Sequence, residues 1–162
     1  MLKFIFSGCA AIALIVVLAL GQPAQQAAAL GTPNDLTGAG AGVFPAGANF
    51  NGVQLAGGTY GMGVQTNTDG TAKGDIEVQL NGTSVIGLSQ WITVTGWITG
   101  GTLNTDGTMT LTGTCALDMG DGTPPVGGLA FVANVSLSGI TLTVGSQVVP
   151  TLPKSDGWIF ID

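Results

Sequence analysis

Histidine and arginine are both missing from this 162-residue chain, and its basic residues are Lys3, Lys73 and Lys154 alone. Without imidazole there is no Ser-His-Asp or Cys-His relay and no histidine metal site. Without guanidinium there is no bidentate clamp for phosphate or carboxylate. Three lysines against nine acidic residues leave a net charge of −6. That balance excludes nucleic acid as a partner, because neutralisation of phosphates by cations supplies most of such affinity. Cysteine is scarce as well, with Cys9 and Cys115 only. No window beyond the first 29 residues repeats its apolar positions at the 3.6-residue helical period.

What the chain does have begins with an apolar run, Phe4 to Leu20, behind Lys3. It is followed by Gly21-Gln22-Pro23 and a small-residue stretch ending Ala27-Ala28-Ala29. One positive charge, an apolar segment and an A-x-A site together read as a secretory signal peptide, residues 1–29. The alternative is a retained anchor, for which the run is at the bottom of the spanning length. Phe6-Ser7-Gly8-Cys9 has the form of a lipobox but precedes the apolar run instead of following it. Gly8 also resembles the end of a pilin leader, yet Ala13 stands where such a leader would have glutamate. Once the peptide is removed, Lys73 and Lys154 oppose nine carboxylates, a net charge of −7. Such a surface is soluble outside the cell and repelled by anionic membranes. Cys115 is then left without a partner, so no internal disulfide forms.

Residues 30–57 are dominated by Gly, Ala, Pro and Asn, as in Gly38-Ala39-Gly40-Ala41-Gly42, and read as a flexible leader. Its apolar islands are Val43-Phe44 and Val53-Gln54-Leu55. From residue 58 to 162 the pattern changes to short alternating strands between turn signals. Tyr60 to Thr66 is the first, and Asn67-Thr68-Asp69-Gly70 turns it. Ile76, Val78 and Leu80 face one way, and Asp75, Glu77 and Gln79 the other. Asn81-Gly82 reads as the next turn, Trp91 to Leu103 as a long strand bent at Gly96 or Gly100-Gly101, and Asn104-Thr105-Asp106-Gly107 as a further turn. Met109, Leu111, Gly113, Cys115 and Leu117 form an inward row, which makes Cys115 a small buried apolar residue. After a loop at 118–128, Leu129, Phe131, Ala133, Val135 and Leu137 form the next row, and Ile140, Leu142 and Val144 another. A Pro-bounded segment leads to a closing strand, Trp158 to Ile161. The Asn-Thr-Asp-Gly-Thr string occurs at 67–71 and 104–108, which reads as one good turn used twice. The expected fold is all-β: a single antiparallel β-sandwich or up-and-down barrel of about seven to nine strands after the N-terminal signal helix.

Candidate sites are few. Trp91 and Trp97 share parity with Thr93 and Thr95, opposite the Ile92, Val94 and Ile98 row, so both indoles are expected on the outer face. Exposed Trp stacks on sugar rings while neighbouring hydroxyls hydrogen-bond, and Tyr60 is a third aromatic candidate. Six residues of strand separate the two Trp by roughly 20 Å. Asp118 and Asp121, in Asp118-Met119-Gly120-Asp121-Gly122-Thr123, are the best candidates for a hard cation such as calcium. Their spacing is not that of an EF-hand, so no cofactor is otherwise expected. Asp75 and Glu77 sit on one face of one strand, which reads as solvated surface rather than a catalytic pair, and no enzymatic activity is expected. Asn81-Gly82-Thr83 and Asn134-Val135-Ser136 are acceptor sequons for N-glycosylation.

Leu111-Thr112-Gly113, Gly120-Asp121-Gly122-Thr123-Pro124, Gly128-Leu129-Ala130-Phe131-Val132 and Gly157-Trp158-Ile159-Phe160-Ile161 resemble strands of exported bacterial all-β domains of the post-COAP-1 sort. The resemblance covers the last third of the chain and implies an extracellular, non-enzymatic β-domain with no assigned catalytic residues. The expected function is therefore that of a secreted or cell-surface structural or interaction domain. It would self-assemble by edge-strand addition, with 30–57 as the donated segment. The alternative is a carbohydrate- or small-ligand-binding module using Trp91, Trp97 and Tyr60. The expected partners are other copies or surface glycans, with no membrane contact after signal cleavage.

Overall fold

The computed structural model describes residues 34–162. The expected signal peptide 1–29, with Cys9, lies outside the described residues. Among the described residues the structure is all-β and antiparallel. The strands are β1 (Asp35–Val43), β2 (Asn49–Phe50), β3 (Val53–Thr66), β4 (Thr71–Thr83), β5 (Ser89–Leu103), β6 (Met109–Asp118), β7 (Val126–Ser136), β8 (Gly139–Val144), β9 (Gln147–Pro153) and β10 (Asp156–Ile161). They form one sheet in the order β10-β1-β3-β4-β5-β6-β7-β8-β9, with β2 paired to β3 off that path.

The sheet curls strongly. A Cβ placed on Gly42 of β1 would lie 2.8 Å from Leu152 Cδ1, and one on Gly58 of β3 would lie 3.3 Å from Leu152 Cδ2. Leu152 belongs to β9, at the far end of the strand order, so the two ends of the sheet approach one another. The link between β9 and β10 stitches them. Lys154 N–H donates to Ser138 O at 2.7 Å, and Ser155 N–H donates to Ala41 O at 2.9 Å.

The concave face is the core. Leu36, Ile76, Leu80, Ile92, Met109, Leu111, Phe131, Val135, Ile140 and Val149 are fully buried on it. Each large aliphatic side chain so buried contributes about 1.5–3 kcal/mol. The inward rows Ile76-Val78-Leu80, Met109-Leu111 with Cys115, and Ile140-Leu142-Val144 fall as their alternation predicts. Cys115 is buried and unpaired, and burial pushes its thiol above its ordinary value.

Several expectations are corrected. The segment 30–57 is not a flexible leader in its described part. From Asp35 it forms β1, which pairs with β10 on one side and β3 on the other. Its inward positions are Leu36, Gly38, Gly40 and Gly42, a period-two pattern in which glycine takes the core side. Phe44, Phe50, Val53 and Leu55 are buried too, so the donated segment is consumed by the chain's own sheet. The turn is not at Asn81-Gly82: β4 runs on to Thr83, and Ser84–Leu88 makes the reversal, with Ser84 N–H donating to Leu88 O. The long β5 keeps its parity through Gly96 and slips at a bulge between Ile98 and Gly100. Leu137 is exposed, because the chain reverses there between β7 and β8. The Pro150 to Pro153 segment is itself strand, at the sheet edge, where a missing N–H costs no ladder bond.

The repeated turn is one device used twice. In each copy the Asn N–H donates to the Thr carbonyl (2.7 and 2.8 Å), and the Asp Oδ1 accepts from the Thr N–H (2.9 and 3.0 Å) and hydroxyl (2.6 and 2.7 Å). Gly70 and Gly107 take φ of +83° and +79°, which the turn requires and a Cβ resists.

Candidate functional site: a glycine-floored trough on the convex face

Cross-strand pairing decides which outward side chains meet. Residues directly opposite in an antiparallel pair point to the same face. One row across the convex face reads Phe160, Thr37, Gly63, Asp75, Trp97, and the next reads Trp158, Ala39, Gly61, Glu77, Thr95. The third reads Asp156, Ala41, Thr59, Gln79, Thr93, and beyond it Val43, Gly57, Asn81 and Trp91 line up. The centre of this surface has almost no side chains. A Cβ on Gly61 or Gly63 would meet nothing within 4 Å.

The result is a trough floored by β3 and β1. One bank is the polar row Asp75, Glu77, Gln79 and Asn81 on β4, where Gln79 Nε2 donates to Glu77 Oε1 at 3.1 Å. Trp97 and Trp91 stand behind the two ends of this bank on β5. The other bank is Trp158 and Phe160 on β10, both exposed. At about 4.8 Å per strand, the β4 and β10 axes are roughly 14 Å apart, and the trough is about 20 Å long. A cavity of about 430 Å³ lies over Thr59, Gly61, Gly63, Asp75, Glu77 and Gln79. A second of about 350 Å³ lies between Val43, Gly57, Asn81 and Trp91.

The expected site residues divide. Trp91 and Trp97 are outward and exposed, at opposite ends of the same bank. Tyr60 is not with them. It is 4% exposed and faces the core, because Tyr60, Met62 and Val64 form the inward row of β3. Its ring lies across Gly40, where a Cβ would come 2.5 Å from the phenol oxygen. The hydroxyl has no hydrogen-bond partner among the described residues. Burial, and secondarily the charge of Asp156, push it above its ordinary value.

Asp118 and Asp121 each accept bonds within their own loop through one carboxylate oxygen. Asp118 Oδ1 accepts from Gly120 N–H at 2.8 Å, and Asp121 Oδ1 accepts from Thr123 N–H at 2.9 Å and its hydroxyl at 2.6 Å. The Thr123 hydroxyl holds Asp121 below its ordinary value, as Thr71 and Thr108 do for Asp69 and Asp106. No group of three His, Cys, Asp or Glu able to hold a metal occurs among the described residues. Asn134 is mid-strand in β7 and accepts from the Thr110 hydroxyl at 2.9 Å, while Asn81 borders the trough.

Sequence reasoning missed the far bank. Alternation of Trp158 and Phe160 with Ile159 marks them as outward, but nothing local says that β10 pairs with β1. No protein-family model, curated protein or solved structure matches the chain.

Proposed function

We propose that this is an exported, non-enzymatic binding module whose trough holds an extended glycan. The observation that carries the reading is the open floor at Gly61 and Gly63 between an aromatic bank and a row of carboxylates and amides. Aromatic faces take the apolar faces of sugar rings, and Asp75, Glu77, Gln79 and Asn81 offer acceptors and donors for hydroxyls. The carboxylates repel uronic acids, so neutral or amine-bearing glycans are favoured. Asp75 and Glu77 share one bank and do not face each other across the trough, which supports binding over hydrolysis. We read the curled sheet as an up-and-down barrel whose seam is the Lys154–Ser155 link. Assembly by donation of 30–57 loses its donor, since β1 is paired on both edges within its own chain.

Affinity electrophoresis through gels containing neutral and amine-bearing polysaccharides tests the reading. Retardation is expected with at least one of them, and its loss in Trp158→Ala and in Gly61→Val. Gly61→Val puts a branched side chain on the floor, at a position where a Cβ meets no neighbour within 4 Å. Migration unaffected by every polysaccharide, or retardation indifferent to both substitutions, would overturn it.

A further inference from the structure

Charge narrows the class of glycan that suits the trough, an inference that rests on the glycan reading above. Asp75 and Glu77 are outward on the β4 bank, and Asp156 is outward on the β10 bank, in the row of Gln79. Asp75 has no hydrogen bond or ion pair among the described residues. Glu77 accepts from Gln79, and Asp156 Oδ1 accepts from the Gly157 N–H at 2.7 Å. None of these donors is charged. The cations lie at the margins. Lys73 continues the β4 row past Asp75, opposite Gln65, which in turn pairs with Asp35. Lys154 is in the link between β9 and β10, with its backbone N–H on Ser138 O. The four rows from Asp75 to Asn81 contain three carboxylates and no lysine.

We propose that the trough takes a β-linked polymer of amino sugars with free amines, such as polyglucosamine, in preference to its N-acetylated counterpart. Protonated amines supply the cations that the rows lack. The carboxylates are also staggered. Glu77 on one bank and Asp156 on the other differ by one row, about 6.6 Å along the strands. In a flat β-linked ribbon successive rings turn over, so their amines leave from alternate edges, one ring apart. A chain laid along the floor thus presents one amine to Glu77 and the next to Asp156. With the β4 and β10 axes roughly 14 Å apart, there is room for one ribbon with a charged group on each side. Trp158, two residues from Asp156 on the same bank, offers an indole to a ring face and to its cationic edge. N-acetylation removes the charge and leaves the carboxylates covered by a ligand that cannot pair with them, which costs affinity. A lysine-rich peptide carries similar charge but has no flat ring faces for the aromatic bank.

The test is calorimetric titration of the full chain with oligomers of glucosamine, N-acetylglucosamine and lysine, matched in length, in mildly acid buffer. The glucosamine oligomer is expected to bind about tenfold tighter than the acetylated one, the gain from two exposed ion pairs. Glu77→Gln with Asp156→Asn is expected to bring the two sugars to one affinity. Asp106→Asn with Asp121→Asn removes the same charge from turns outside the trough and is expected to keep the preference. Equal affinity for the two sugars in the parent chain would overturn the inference and leave glycan binding standing. So would a preference that survives Glu77→Gln with Asp156→Asn, a preference lost equally in the distant pair, or oligolysine bound as tightly as glucosamine. Binding of neither sugar would overturn the glycan reading itself.

Discussion

Two glycine strips lie on neighbouring strands and do opposite things. On β1 the inward glycines Gly38, Gly40 and Gly42 are crowded: Tyr60 lies across Gly40, and Leu152 and the Pro153 carbonyl press on Gly42. On β3 the outward glycines Gly61 and Gly63 face open space. The first strip lets large side chains from β3 and β9 close over a strand that has none, in the manner of aromatic rescue of a strand glycine. The second leaves a strand bare so that something else can lie on it. Glycine content alone distinguishes neither from a flexible linker; the face on which the glycine falls does.

The difference is open to attack by substitution. The largest effect is expected from Gly42→Val, which drives a branched side chain into Leu152 and the Pro153 carbonyl. A loss of about 3 kcal/mol in urea unfolding is expected, the upper end for overpacking. A loss under about 0.5 kcal/mol, the size of an ordinary surface change, would dissolve the contrast between the strips. Next comes Tyr60→Phe, which removes a buried hydroxyl with no partner while keeping the ring over Gly40. A gain of about 1 kcal/mol is expected, since an unsatisfied buried polar group costs about that much. A comparable loss would show that the hydroxyl is satisfied. Gly61→Val should change stability by less than about 0.5 kcal/mol, because its Cβ enters open space on the outer face. The same protein should no longer bind polysaccharide.

The smallest effect lies away from both strips, in the Asp-Gly-Thr turns. Asp69, Asp106 and Asp121 are each held below the ordinary carboxylate value by the following Thr. Their contribution is therefore present above the unfolded value and is lost as pH falls through the lowered folded one. Melting temperature followed from neutral to strongly acid pH should fall less in Asp69→Asn with Asp106→Asn than in the parent chain. An identical fall in both would show that these carboxylates are not coupled to folding.

Much of the sheet was legible along the chain. Where aliphatics alternate with polar residues, as at Ile76-Glu77-Val78-Gln79-Leu80, parity is unambiguous and one face must be buried. β1 was illegible for a physical reason: its period-two pattern is written in Gly against Ala and Thr, which differ too little in hydrophobicity to show a face. β9 was hidden by Pro150, which is compatible with strand only at an edge, and which strands are edges is a property of the whole sheet. The candidate site was half legible. Trp91 and Trp97 declare their outward side by alternation with Ile92, Val94 and Ile98. Trp158 and Phe160 become part of the same surface only through the pairing of β10 with β1.

That pairing also sets the order in which the molecule is made. Leu36 lies opposite Ile161, so β1 waits for residues at the other end of the described chain before its second edge is covered. Every other ladder on the path joins strands with at most one element between them in sequence and is available early. Contacts of such long sequence separation form slowly, because loop closure precedes the energy that rewards it. The arrival of β10 is therefore the expected final step of folding, and the same event builds the aromatic bank. A chain still lacking β10 would have most of its core assembled, since that strand supplies only Ile159 and part of Ile161 to it, but its trough would miss a wall, so acquisition of ligand binding should report the last kinetic phase of folding and none before it.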